Sequence, residues 1–386
     1  LVTIDWSKYR FPESVWFSLD TRSKRTKFFK ENGIQYSRGE VPRCALCNHV
    51  YFNCKCDDPE FQRKKRYWQE QISKPFEEKL DKAVKLVSIH INDIKEKHLK
   101  IYLAYSGGID SECCLQLYKE PIKEKLIDVI VGNTLTELPD TYKRLYQAEK
   151  ELGIKFKWAT PKCGVTFETN AIEYGLPLYP RNNIINIDSK QTLEQIDTAS
   201  EINKKPTKMC CHNLKENPQA LLTNSYDGNI LGLRATESQA RGMAVKHGLN
   251  IDRDCYFGTV AEWDIRPIAW WTRKDEWKFQ KLREFNYNGI YDKTNIHQIG
   301  KYKTSTGRVI DIRSGCAYCP QGIHQGYLEW LHEYYPKHFK MLVKIYNNVA
   351  LKSDNKIDFN KVLEIKKVKD PRSPEEIEES LLPTLS

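Results

Sequence analysis

The stretch that most constrains this chain is Ile101–Tyr105 followed at once by Ser106, Gly107, Gly108, Ile109, Asp110 and Ser111. Five mostly apolar residues bounded by a polar, glycine-containing turn read as a short buried strand. The residues from Glu112 onward read as a helix, so the turn joins a strand to a helix N-terminus. Paired glycines allow tight dihedrals and close backbone approach to a ligand. The first turn of a helix offers unpaired N–H groups and a partial positive charge, which suit a phosphate or pyrophosphate. Ser106, Gly107, Gly108, Asp110 and Ser111 are therefore the candidate nucleotide-binding residues, with Asp110 free to hold Mg²⁺ or to cap the helix. No G-x-x-x-x-G-K-[ST] segment occurs, so this is a different phosphate cradle from the Walker loop.

Beyond residue 100 the pattern alternates strand and helix. Strands are expected at Ile101–Tyr105, Leu126–Gly132, Lys155–Thr160 and Asn229–Leu233. Helices are expected at Pro139–Leu152, stopped by Gly153, at Glu237–His247, and after Thr272 with Asp275 in the first turn. This alternation predicts an α/β fold, a Rossmann-like parallel sheet with helices on both faces. A helical pattern precedes it from Pro59 to Ile94 with a break or kink at Pro75. Residues 322–350 read as helical, and the acidic tail after Pro371 reads as poorly ordered. The expected units are residues 1–95, 96–325 and 326–386. Residues 181–207 are polar and read as an inserted loop.

The 386 residues carry a net charge of +10, and the first 80 hold 16 Lys/Arg against 11 Asp/Glu. A basic excess of this kind suits polyanionic partners, nucleotides or nucleic acid. No run of apolar residues is long enough to span a membrane and no secretory leader is evident, so a cytoplasmic location without a membrane partner is expected. Twelve cysteines are many for such a chain, and eight of them cluster. Cys44, Cys47, Cys54 and Cys56 form a compact C-x-x-C and C-x-C knuckle, the right ligand number for structural Zn²⁺. Cys210, Cys211, Cys316 and Cys319 form a second set, suited in number and softness to an iron–sulfur cluster or to zinc.

With those motifs in place, the chain resembles the PP-loop ATP pyrophosphatase superfamily, whose adenine nucleotide alpha hydrolase-like fold binds nucleotides. Within it, Asn133–Tyr142 is similar to the D-T-G-x-x-F-P-E-T-Y segment of the phosphoadenosine phosphosulfate (PAPS) reductase-like family. Gly232–Ser238 with Arg241 is similar to its G-x-R-x-x-E-S-x-x-R segment. The resemblance implies that Arg234 and Arg241 supply forked donors to phosphate or sulfate oxygens. Cys210–Pro218 resembles the C-C-x-x-x-K-x-x-P segment of iron–sulfur sulfonucleotide reductases, and Gly315–Cys319 their later G-C-x-x-C. That implies a 4Fe–4S cluster on Cys210, Cys211, Cys316 and Cys319, and a catalytic role for Lys215 beside Asp110, Arg234 and Arg241. The thiol-forming reductases of this branch also carry a later nucleophilic cysteine, and none occurs in the 67 residues that follow Cys319 here.

The resemblance and this departure together lead to an expected enzyme that uses ATP and Mg²⁺ for adenylation with pyrophosphate release, coupled to sulfur transfer. The implied acceptor is a nucleic acid, by analogy with the C component of Dnd-type DNA phosphorothioation systems or with tRNA thiolases. A cysteine desulfurase or another sulfur-donor protein is an implied partner. Sulfonucleotide reduction is the enzymatic alternative. A nucleic-acid-binding or assembly protein on an inactive PP-loop fold is the alternative of another class.

Overall fold

The computed structural model describes residues 59–177, 209–237, 241, 249–250, 255–256, 263–320, 323, 326–353 and 357–381. Two helices, α1 (Pro59–Ser73) and α2 (Phe76–Lys97), come first. Pro75 separates them, as its missing N–H and fixed φ require. Strand β1 (Ile101–Tyr105) leads into α3 (Ile109–Leu117), followed by the short α4 (Lys119–Lys123), β2 (Ile127–Gly132), α5 (Pro139–Leu152), β3 (Lys157–Ala159) and α6 (Phe167–Tyr174). Met209–Cys211 (α7) runs through a π-helical turn, His212–Glu216, into α8 (Asn217–Thr223). Then come β4 (Gly228–Leu231), the paired β5 (Leu249–Asn250) and β6 (Cys255–Tyr256), β7 (Trp263–Ile265) and α9 (Arg273–Arg283). A hairpin, β8 (Lys301–Lys303) and β9 (Val309–Asp311), precedes the helices α10 (Tyr327–Tyr334), α11 (Pro336–Lys352), α12 (Phe359–Lys366) and α13 (Pro374–Leu381).

Five strands form one sheet in the order β3-β2-β1-β4-β7, every pair parallel. The chain moves outward from β1 through β2 to β3, then returns to pair β4 on the other side of β1. The crevice outside the carboxyl ends of β1 and β4 is thus a topological switch point, where open α/β sheets bind ligands. The central strands are buried on alternate and adjacent positions alike, as expected of a sheet covered on both faces.

Several elements are as the sequence indicates. The αL conformation of Gly153 ends α5, and Thr272 caps α9 in a reciprocal box with Asp275. Two differ. Helix α3 starts at Ile109 rather than near Glu112, so Asp110 and Ser111 belong to its first turn. The tail beyond Pro371 contains a helix, α13, whose Glu376 meets His332 of α10 at 3.1 Å. The expected helix Glu237–His247, the inserted region 181–207 and the cysteine knuckle at 44–56 lie wholly or largely outside the described residues.

One apolar cluster runs from Phe76, Ala83, Val87 and Ile94 of α2, through the sheet, to Leu342, Val349 and Phe359 of the last helices. Helices from either side of the boundaries expected at 95 and 325 therefore share the core of the sheet. A buried ion pair, Lys79 Nζ to Asp275 Oδ2 at 2.9 Å, ties α2 to the N-terminus of α9. A second buried pair lies behind the phosphate loop. Arg144 of α5 grips Glu112 of α3 through Nε and Nη2 at 3.0 and 2.8 Å, and the Tyr105 hydroxyl donates to the same carboxylate.

Both members of the Arg144–Glu112 pair are essentially inaccessible. Removing one partner leaves a buried charge uncompensated, at a typical cost of about 3–5 kcal/mol. Arg144→Met is therefore expected to lower urea stability by about that amount. The double change Arg144→Met with Glu112→Leu is expected to recover much of the loss, which a double-mutant cycle measures.

Candidate active site at the switch point

The end of β1 turns sharply at Gly107, whose φ of +69° favours glycine. Asn288 Nδ2 donates to the Gly107 carbonyl at 3.1 Å, and Ile109 N donates to the Tyr291 hydroxyl at 3.0 Å. Those two residues clamp the loop from the segment after α9. Within the loop, the Ser106 and Ser111 hydroxyls lie 3.1 Å apart, and Ser111 also donates to the Gly108 carbonyl. A Cβ on Gly108 would come within 2.6 Å of Ser314 Oγ, and one on Gly232 within 2.6–2.7 Å of the backbone of Asp110 and Ser111. The exit of β4 therefore lies directly against the loop, and only glycine fits there.

Asp110 does not cap the helix. Its Oδ1 accepts from Arg234 Nε at 2.5 Å and its Oδ2 lies 3.5 Å from Arg273 Nη1. Glu276, with no exposed side-chain surface, completes the cluster, its Oε2 at 3.3 Å from Arg273 Nη1. Glu276 Oε1 lies 2.8 Å from Arg234 Nε, but the one hydrogen on that nitrogen points to Asp110, so Oε1 has no hydrogen bond among the described residues. Burial works against charge on both carboxyls. At Asp110 it is overcome by Arg234, by hydrogen bonding to Glu276 and by Arg273, so the carboxyl titrates below its ordinary range. At Glu276 burial and then the charge of Asp110 hold the carboxyl well above that range. The shared buried setting thus moves the two carboxyls in opposite directions, as expected of two acids that cannot both readily carry charge there.

Arg234 is thus turned inward, only 4% exposed, and acts on Asp110 rather than facing the crevice. The crevice itself is a cleft of about 360 Å³ at the carboxyl ends of β1, β2 and β4. The phosphate loop forms one wall. Lys215 from the π-helical turn, Arg241, Arg273 and Arg313 supply cationic groups, and Cys316 also lines the cleft. Arg241 and Arg313 both pair with Glu237, also on the wall. Lys215 and Arg241 were legible from sequence. Arg273 and Arg313 were not, although Arg273 immediately follows the Thr272 cap and Arg313 stands three residues before Cys316.

The Asn133–Tyr142 segment joins the loop to the cysteines. Glu137 accepts from the backbone N–H groups of Thr134 and Thr136 and from the hydroxyls of Thr134 and Tyr142. Thr134 Oγ1 lies 3.4 Å from Cys316 Sγ, and Ala317 N donates to the Thr136 carbonyl at 2.9 Å. Cys316 and Cys319 close a turn, with Cys319 N donating to the Cys316 carbonyl. Cys210 is buried and Cys211 exposed at the end of α7. Burial, then the charges of Cys316, Cys211 and Cys319, push the Cys210 thiol up. No group of three or more His, Cys, Asp or Glu side chains is close enough to hold a metal among the described residues. The donor chemistry of the four thiols fits an iron–sulfur cluster, and their spacing here is looser than a closed ligand shell. For Mg²⁺ the fit is poor. Both Asp110 oxygens face guanidinium groups, so a divalent ion would depend on nucleotide phosphates for its ligands.

A parallel sheet with a glycine-turned strand-to-helix loop at its switch point defines an α/β protein with a cleft where such sheets bind ligands. Residues 100–321 match the family model described as the phosphoadenosine phosphosulfate reductase domain, and the chain belongs to that family. An adenosine 5′-phosphosulfate reductase from Bacillus pumilus (strain SAFR-032) is 27% identical over 117 residues, 30% of this chain and 47% of the relative. The chain thus spans about half the length of that curated relative. Among solved structures, phosphoadenylyl-sulfate (PAPS) reductase from Candida auris in a phosphate complex aligns with a TM-score of 0.36 at 14% identity, covering 60% of this chain and 90% of that one. An NH3-dependent NAD synthetase from Campylobacter jejuni subsp. jejuni NCTC 11168 in complex with nitrate aligns with a TM-score of 0.29 at 13% identity, covering 72% and 96%.

The raised titration of Glu276 makes a pH prediction. The folded protein holds a proton that the unfolded chain releases near the ordinary glutamate pKa of about 4.3. Its contribution is complete below that pH and is lost as pH rises toward the folded value, with a slope of up to about 1.4 kcal/mol per pH unit for one proton. Urea stability measured from pH 5 to pH 9 is expected to fall less steeply in Glu276→Gln than in the wild type. Parallel slopes would mean that Glu276 is ionised in the folded protein.

Proposed function

We propose that this chain is a PP-loop enzyme that uses ATP to adenylate an acceptor oxygen and so prepares it for sulfur transfer. The observation that carries the reading is the single cleft in which the phosphate loop, a set of cationic side chains and Cys316 meet. The N–H groups at the start of α3 would hold the β- and γ-phosphates. Lys215, Arg241, Arg273 and Arg313 would neutralise charge that builds on the departing pyrophosphate. The acceptor oxygen attacks the α-phosphorus, the bond to the bridging oxygen breaks, and pyrophosphate leaves. A sulfur nucleophile then displaces AMP from the activated acceptor.

Cys210, Cys211, Cys316 and Cys319 would hold a 4Fe–4S cluster, which when bound supplies a soft site for sulfide. Thr134 and the Ala317–Thr136 backbone bond keep Cys316 at the cleft wall in that scheme. Arg234 and Glu276 are positioning residues that fix Asp110 and with it the loop. The proposed acceptor is a nucleic acid, in the manner of Dnd-type DNA phosphorothioation or of tRNA thiolation, with a cysteine desulfurase or similar protein as sulfur source. The zinc knuckle proposed for Cys44, Cys47, Cys54 and Cys56 would serve as scaffold. Sulfonucleotide reduction is the second reading, favoured by the likeness to an adenosine 5′-phosphosulfate reductase.

Anaerobically purified protein incubated with ATP, nucleic acid and sulfide is expected to release pyrophosphate and AMP in equal amounts. Release of sulfite from adenosine 5′-phosphosulfate or PAPS, with no pyrophosphate from ATP, would favour the second reading. Gly232→Ala presses a methyl group onto the loop backbone and is expected to slow pyrophosphate release by about 100-fold, the scale of loss from an ångström of misplacement.

A further inference from the structure

Helix α5 turns Lys143, Tyr146, Gln147 and Lys150 to solvent, a stripe at the i, i+3, i+4, i+7 spacing. Tyr146 is 57% exposed, a large apolar surface to leave in water. Its inner face is already occupied. The ring stacks on Trp158 of the edge strand β3, with centroids 5.3 Å apart and planes at 29°. Trp158 is fixed in turn, since its Nε1 donates to Glu149 Oε1, which also accepts from Phe156 N. The outer face of Tyr146 is therefore a rigid aromatic shelf.

The charge around the shelf is positive. No carboxylate pairs with Lys143 or Lys150 among the described residues, and Lys155, 91% exposed, stands beyond β3's start with Glu149 at 3.5 Å. The nearby acids are committed elsewhere. Glu149 is buried against the backbone and Trp158, and Glu151 is bound by Arg144 and Asn286. The shelf also has an address. One turn before Tyr146, the Tyr142 hydroxyl donates to Glu137, which lines the cleft that Cys316 shares. The helix that carries the shelf also lines the cleft, through Leu145.

We propose that Tyr146, backed by Trp158, is a stacking platform for an unpaired base of single-stranded nucleic acid whose phosphates pass over Lys143, Lys150 and Lys155. The proposal rests on the reading of a nucleic acid as acceptor and gives it a binding form. An aromatic face accepts any base, while lysines track the backbone, the usual division in single-strand binding. A helix face this narrow, with one aromatic ring, does not offer the broad phosphate surface that a duplex needs.

The test uses the full chain and fluorescence anisotropy with labelled oligo-dT, oligo-rU and a duplex of equal length, over a range of salt. Stacking on one aromatic ring corresponds to about 5- to 150-fold in affinity. Tyr146→Ala is expected to weaken single-strand binding by at least fivefold with an unchanged salt slope, and Tyr146→Phe to restore it. Lys143→Glu with Lys150→Glu is expected to flatten the slope of log affinity against log salt, since fewer counterions are released. Preference between DNA and RNA strands would identify the polymer, and either result supports the platform. Wild-type affinity in Tyr146→Ala, or equal affinity for the duplex, would overturn it. Pyrophosphate release from ATP with the duplex as acceptor separates the two ideas. If that activity persists while single strands fail to bind, the platform is wrong and the adenylation chemistry stands.

Discussion

The structure depends on the neutralisation of one carboxylate. Asp110 sits in the first turn of α3, where the phosphate loop runs into the helix, and largely out of water, where an unpaired charge would be prohibitive. Arg234 reaches it from the exit of β4 and Arg273 from the start of α9. Those two contacts pull three separate parts of the chain onto the loop. Gly232 can then approach the loop backbone, and Arg273, having met Asp110, still lines the cleft. Lys79 secures the same helix start from α2 through Asp275. The preceding helical segment is therefore part of the site's foundation rather than an appendage to it.

A division of labour among the arginines follows. The arginine in the most recognisable sequence context, Arg234, is spent on the protein itself. The cations left to face a ligand come from less conspicuous places: the turn after a helix cap, the π-helical turn, and the approach to Gly315 and Cys316. Their like charges crowd one cleft, and Glu237 holds two of them. An anionic ligand relieves that crowding. The cleft is a poor place for a neutral molecule and a favourable one for a polyphosphate.

Local features were legible in the sequence because their causes are local. The strand before Ser106, the glycine stop at Gly153 and the Thr272–Asp275 cap each depend on residues a few positions apart. The expected grouping of Cys210 and Cys211 with Cys316 and Cys319 came through motif resemblance and not through spacing. What could not be read were contacts made across the sheet. Nothing near Arg144 in sequence indicates that Glu112 waits 32 residues away, and nothing in Asn288 or Tyr291 says that both clamp the phosphate loop. The helical tail was missed for a related reason. Its acidic composition suggests solvation, and its docking partner, His332, belongs to a distant helix.

The π-helical turn at His212–Glu216 sets a rotational phase. Its closing bond runs from the Asn217 N–H to the His212 carbonyl, one residue more than an α-helical turn uses. An α-helix advances about 100° per residue. The additional residue therefore turns everything on its N-terminal side, Cys210 and Cys211 included, by roughly that angle relative to Gln219 on the cleft wall. Deleting one residue there would leave a good helix by every local measure and turn both thiols by about that angle. Relatives aligned across this segment are thus better compared by helical phase than by residue identity. A family member can keep every cysteine and still lose the site through a change of length.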